Sequence, residues 1–328
     1  MRVLKLSGSL SKSCYQQPNI EKTNSLTNLV LLFVCLLLGI LLQRLKDFPK
    51  NAHLVLNAII IYVCLPALTL LYTPEIHFKR SQILPILMPY ILFGFAFIFF
   101  KIISPIVGFD RSTTGALTLT AGISSISFVG FPIFELLFGK EGLQMGVLMS
   151  QAGSFIVCGT LGIFTASCYS SSKVSAQKIV KDIFKFPPFV AFCIALIFNI
   201  SNFHFSLFVT DILHKIGSPF TVLALISIGL QISYKREDLQ VKPLLYGLFY
   251  KLLIAPILIF ILYFFILGEH TFLGKISVIG SALGSMNTAT IIAINYGLDP
   301  KLATQMVSIS IPLSFLNVGF WYFIISRF

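Results

Sequence analysis

The chain has 328 residues, 56% of them hydrophobic and only 11% charged, with a mean hydropathy of +0.90 and a net charge of +12. The 12 acidic and 24 basic residues cannot coat a soluble core that holds 33 Phe, so soluble enzymes are excluded and an all-helical, multi-span membrane protein is implied. The basic excess lies singly or in pairs between apolar runs, which marks topology determinants rather than a nucleic-acid surface.

Apolar runs close to the roughly 20 residues that cross a bilayer core, each bounded by charge, Gly or Pro, occur ten times. Residues 1–26 form a polar tail rich in Ser, Lys and Asn and are expected to be disordered. The first span, 27–43, ends in Gln43-Arg44-Leu45-Lys46 with no small-residue cleavage site, so it is expected to be retained. Spans two and three follow at 53–72 and 82–103.

Span four, 112–137, holds the first irregular chemistry, with Ser124, Ser125 and Ser127 between Gly122, Gly130 and Pro132. Pro132 lacks a donor and clashes with the preceding turn, and the glycines ease departure from helical geometry. Two readings stay open. Either the helix breaks, so that free backbone groups and the serines face a cavity, or it merely kinks and the serines bond back to their own turn.

Span five, 142–168, carries Gly142, Gly146, Ser150, Ser154, Cys158 and Gly162 at four-residue spacing, a stripe for close helix packing, with Gln151 beside it in reach of a cavity. The connection 169–186 holds Lys173, Lys178, Lys181 and Lys185 and is expected to be a cytoplasmic linker between two halves, 27–168 and 187–328. Spans six and seven lie at 187–202 and 207–233, and Asp211 and His214 fall one turn apart near an expected membrane interface.

Span eight, 243–267, contains Lys251 five residues before Pro256. An intramembrane lysine is a functional suspect, and it either pairs with Glu135, sits near a substrate, or snorkels to an interface. Span nine, 272–296, places Gly284, Ser285, Asn287 and Thr288 in mid-span. Asn287 either orients a carboxylate or makes an interhelical hydrogen bond. Span ten runs from 301 to 325.

Thirteen Lys and Arg, from Arg44 to Lys301, fall in alternate connections on one side, against Lys79, Arg80, Lys140, Lys275 and Arg327 on the other. The richer side is expected to be cytoplasmic and both termini outside, although Arg2, Lys5, Lys12 and Lys22 of the tail argue the other way. Cys14, Cys35, Cys64, Cys158, Cys168 and Cys193 form no CxxC or Cys/His spacing, so neither disulfides nor a metal site is expected. No nucleotide-binding or hydrolase motif occurs, and no cofactor is expected.

Ten spans divide into two halves of five with opposite orientation, so any repeat between them is an inverted one. Phe138-Gly139-Lys140-Glu141 aligns with Tyr296-Gly297-Leu298-Asp299, and Pro85 with Pro243, at one offset of 158. Two half-helices meeting in mid-membrane would direct positive N-terminal ends at one point and stabilise an anion there without a basic side chain in contact.

The segment Asn57 to Leu68 with Pro66-Ala67, the segment Ser124 to Pro132 with Phe138-Gly139 and Glu141, Lys251 with Pro256, and Ala293 to Gly297 with Asp299 together resemble the auxin efflux carrier family, which takes in plant PIN carriers and bacterial malonate or malate transporters. The likeness covers about 27–328. It implies ten helices in two inverted five-helix repeats, broken helices four and nine that cross, a scaffold of spans one, two, six and seven, and elevator-type transport of a small organic anion. Ser125 and Asn287 depart from the family's usual Asn and Pro at the two crossovers, and the polar amide is expected to have moved between them.

The expected binding residues are then Ser125, Ser127, Ser285, Asn287, Thr288 and Lys251, with Gly130, Pro132 and Gly284 shaping the backbone. The expected partners are a carboxylate substrate and the lipid bilayer, with a homodimer as an option and no nucleic acid. A composition rich in Ile, Lys and Phe points to a bacterial inner membrane. A sodium-coupled bile-acid-type symporter on the same fold and a non-transporting receptor or scaffold are the alternatives.

Overall fold

In the computed structural model of the protein the described residues are 17–45, 47–49, 51–76, 80–170, 185–231 and 239–328. Outside them lie Arg2, Lys5, Lys12 and Cys14 of the tail, Lys46, Lys50 and Lys79, the linker stretch 171–184 with Lys173, Lys178 and Lys181, and Lys235 and Arg236.

Every regular element among the described residues is helical. In chain order they are α1 (Gln17–Arg44), α2 (Ala52–Glu75), α3 (Ile83–Val107), α4 (Arg111–Gly122), α5 (Ile126–Tyr169), α6 (Pro187–Ile200), α7 (Leu207–Gln231), α8 (Val241–Ile266), α9 (Phe272–Ser281), α10 (Asn287–Asn295) and α11 (Pro300–Ile325). Helix α1 begins ahead of the apolar run that starts at residue 27. By length and composition six helices among the described residues are able to cross a membrane: α2, Arg80–Val107 with α3, α5, α7, α8 and α11. Phe33–Arg44, α6 and α9 are shorter apolar helices. The run α5 is continuous by hydrogen bonding, yet Gly139 (φ 63, ψ −151) kinks it into two helices, because only glycine takes that backbone conformation without strain.

Local chemistry sets the helix ends. Gly108 closes α3 in the left-handed region (φ 83), and Asp110 then caps α4 by accepting from the Thr113 N–H at 2.8 Å. Asp299 caps α11 in the same way from the Leu302 N–H, with Pro300 in the first turn where its missing donor is harmless. The Asp299 carboxylate also accepts from Thr113 Oγ1 on α4 and from Gln240 Nε2 just before α8, so a single side chain ties three helix ends together. Three π-helical turns, Ile60–Cys64, Ile126–Gly130 and Tyr250–Ile254, each end two residues before a proline (Pro66, Pro132, Pro256). A proline removes one rung of the hydrogen-bond ladder and crowds the carbonyl a turn earlier, and a widened turn relieves both.

Helices α1, α2, α6 and α7 pack on one another, as do α3, α4, α8, α9, α10 and α11, while α5 touches both groups. A close approach in the first group is Gly39 of α1 against Gly229 of α7, where a Cβ on either would lie 2.8 Å from the other's Cα. Large apolar side chains such as Ile106, Leu207, Phe265 and Leu316 point outward. That outer coat suits lipid, in which every backbone group of a span must be satisfied within the protein.

Candidate functional site

Two of the places where helical geometry stops, between α4 and α5 and between α9 and α10, lie against each other. Between α4 and α5 the chain extends through Ile123 (φ −117, ψ 124), and between α9 and α10 through Met286 (φ −79, ψ 129). Ser124 and Ser285 pair as an antiparallel β-bridge. The Ser125 N–H donates to Gly284 O at 2.9 Å and the Met286 N–H to Ile123 O at 3.1 Å. Each gap therefore supplies the partners that the other lost on leaving the helix, which meets the demand that buried backbone be paired.

The surrounding side chains brace this crossing. Gly284 packs against the backbone of α11: a Cβ there would lie 2.7 Å from Ile311 Cα. A Cβ on Gly130 would lie 2.8 Å from Leu283, so that glycine lets the start of α5 approach the second gap. Pro132 sits in the first turn of the helix that follows the widened turn. Ser310 of α11 holds Ser285 from both sides, accepting from its N–H at 2.9 Å and donating to its Oγ at 3.0 Å. The Asn317 amide donates to Ala282 O at 3.0 Å. Neither Ser310 nor Asn317 was among the expected site residues. Asn317 was accessible to the argument that singled out Asn287, since an amide in an apolar run needs a partner.

Lys251 is fully buried in α8 and its Nζ donates to Ser124 Oγ at 2.6 Å. Of the three options for Lys251, the pairing with Glu135 is not made. Glu135 instead accepts from Thr221 Oγ1 on α7 at 2.9 Å, because it lies on the face of α5 turned to the first helix group. Ser125, Ser127 and Ser285 are also buried, whereas Asn287 and Thr288 are half-buried. Gln151 is buried inside α5, and its Oε1 has no hydrogen-bond partner among the described residues.

Asn287, the first residue of α10, lines a cavity of about 1000 Å³ between the two helix groups. Gln43, Arg44, His53, Asn57 and Gln231 face it from α1, α2 and α7, and no Asp or Glu among the described residues lines it. That wall is part-braced internally: Ser227 Oγ donates to Asn57 Oδ1 at 2.6 Å, and Gln43 Nε2 to Leu230 O at 3.2 Å. A cavity whose described lining has cationic and amide groups, the N-terminus of α10 and no carboxylate favours an anionic guest.

A second cavity, about 540 Å³, has Tyr72, Glu75, Glu135, Lys140, Asp211 and His214 in its lining. Here α5 is tied to the first helix group by the Lys140–Glu75 ion pair at 3.0 Å and by Thr221–Glu135. Asp211 pairs with Lys215 at 2.7 Å in an exposed position. Because the Lys140–Glu75 side chains are 63% and 42% exposed, Lys140→Met is expected to change stability by no more than about 1 kcal/mol. Thermal unfolding of the purified variant checks this, and a larger loss means that the tie holds the two groups together.

A family model described as "Membrane transport protein" matches residues 24–322. An "Uncharacterized transporter" of Methanocaldococcus jannaschii is 24% identical over 308 residues, covering 91% of this chain and 98% of the relative. Another, of Methanothermobacter thermautotrophicus, is 26% identical over 295 residues, covering 88% and 94%.

Proposed function

The chain belongs to the membrane transport protein family, the auxin efflux carrier group it resembles, and from that premise we propose that it is a secondary carrier that moves a small carboxylate by an elevator mechanism. The observation that carries this reading is the pairing of Ser124 with Ser285 beside a cavity that no carboxylate among the described residues lines and into which α10 opens with Asn287. The crossing and the helices packed on it form the moving part, and α1, α2, α6 and α7 form the wall it slides along.

The finer architecture belongs to the same proposal: ten spans arranged as two inverted repeats, 27–168 and 187–328, joined by the linker 169–186. Its support is positional. The left-handed glycines come in matched pairs, Gly108 (φ 83) with Gly268 (φ 64) and Gly139 (φ 63) with Gly297 (φ 68). The first pair precedes α4 and α9, and the second follows the half-helices that begin at each gap. Pro85 and Pro243 sit likewise in the first turns of α3 and α8. With the Lys- and Arg-rich side cytoplasmic, the cavity bearing Arg44 faces the cytoplasm, the second cavity faces outward, and the tail lies outside.

Asn287→Ala is the direct test. A hydrogen bond to a charged group contributes about 1.5–3 kcal/mol, which is roughly a 10- to 100-fold loss of affinity. Uptake of radiolabelled malonate and indole-3-acetate into proteoliposomes is expected to fall by that factor, with the melting temperature within about 2 °C of the parent. Unchanged flux and affinity would remove Asn287 from the binding site and with it the exchange of Asn and Pro between the two crossovers. A parent protein that binds carboxylates without moving them would instead be a receptor.

A further inference from the structure

Lys251 is a lysine enclosed without a counter-ion among the described residues. It is 0% exposed, and its Nζ makes one hydrogen bond among the described residues, to Ser124 Oγ at 2.6 Å. It takes part in neither of the ion pairs found there, Lys140–Glu75 and Lys215–Asp211. An ammonium has three donors, so two are unused. Residues 123–130 and 281–290, which make up both gaps and the helix starts beyond them, contain no charged side chain.

The position is built rather than incidental. The widened turn Tyr250–Ile254 ahead of Pro256 holds both buried residues, and the Tyr250 hydroxyl is anchored to Leu92 O at 2.7 Å. A lone charge in such surroundings destabilises the empty protein relative to an apolar side chain of similar length. Inside a low-dielectric core its field reaches well beyond contact distance. An anion arriving at the crossing supplies the absent opposite charge.

We propose that Lys251 is the fixed counter-charge for the substrate, acting from behind the crossing through Ser124, and that the single charge it offers selects monovalent carboxylates over divalent ones. This rests on the carrier reading above and narrows its substrate class. Lys251 is then a specificity-determining residue that the substrate does not touch, and the site attracts its anion without recruiting a metal cation to the crossing.

The test is thermal unfolding of the purified full-length protein with propionate, benzoate, malonate and the uncharged benzamide, for the parent, Lys251→Met and Lys251→Gln. For the parent, a monocarboxylate near 100 times its Kd is expected to raise the melting temperature by about 5 °C, malonate by less, and benzamide not at all. Lys251→Met is expected to melt at or above the parent's temperature when empty and to respond to none of the four. That combination of a firmer empty protein with lost anion response is not produced by a lysine whose role is structural.

Lys251→Gln keeps a donor toward Ser124 and removes the charge. It decides the matter if the methionine variant does not fold, and it too is expected to fold and to ignore carboxylates. A parent-like carboxylate shift in either variant overturns the counter-charge while leaving the carrier reading intact, and so does a Lys251→Met protein that folds but melts well below the parent when empty. A malonate shift equal to the monocarboxylate shift overturns the single-charge selection. A parent that responds to no carboxylate and shows no carboxylate flux in proteoliposomes defeats the carrier reading, and the counter-charge falls with it.

Discussion

Gly284→Val is expected to leave no transport-competent protein. A Cβ at this position would lie 2.7 Å from Ile311 Cα and 2.8 Å from Ile311 N, both backbone atoms of α11 that no rotamer change can move. Relief requires the second gap to back away from α11. That movement breaks the two hydrogen bonds between Ser285 and Ser310 and loosens the Gly284 O bond to Ser125 N–H. Overpacking in a core typically costs 1–3 kcal/mol, and a backbone neighbour puts this case at about 3 kcal/mol or more.

Size-exclusion behaviour and carboxylate flux of the variant are the measurements. Gly94→Ala in α3 is the control, since nothing lies within 4 Å of its Cβ position and it should be neutral or slightly stabilising. Parent-like flux from Gly284→Val would mean that the close approach to α11 is not needed for the crossing.

Gly229→Val should have an effect of similar size in a different place. Its Cβ would meet Leu36 O at 2.4 Å, Gly39 Cα at 2.8 Å and Ile40 N at 3.0 Å, so α1 and α7 can lie so close only because both positions are glycine. In lipid, helices gain no hydrophobic attraction for each other, and tight packing at small residues is a main source of their cohesion. Separating this pair is expected to destabilise by about 3 kcal/mol and to free α1 for proteolysis. Gly39→Val should do the same, from the other side of one contact, so the double variant should lose less than the sum of the two. A fully additive double variant would show that the two glycines do not meet.

Much of this was legible in the residues because membrane spans advertise themselves as apolar runs, and because Gly, Ser and Pro collect where a helix must stop. A gap at Ser124 and Ser125 was one of the two readings that Gly122, Gly130 and Pro132 left open, because those residues act on their own backbone. Side-chain partners were less legible. Lys251 stood out as a buried charge, yet whether it meets Glu135 or Ser124 depends on how α8 turns against α4 and α5, and spacing along one helix carries no information about that. Ser310 was hidden for the same reason, being an ordinary serine until α11 lies beside the second gap. The kinked course of α5 through Gly139 also escaped, because an apolar run separated from the next by a few polar residues looks the same whether the chain reverses sharply or bends.

The β-bridge between the two gaps also bears on how the protein is made. When the ribosome has delivered α4 and α5 to the membrane, the Ile123 carbonyl and the Ser125 amide have no mates, for these arrive only with Met286 and Gly284. Until then those groups face the bilayer interior unpaired or draw in water. The amino-terminal half is thus an incomplete assembly that waits for the carboxy-terminal one. Maturation of the core is a late, long-range event, and a chain truncated before α10 would present quality-control proteases with an open seam.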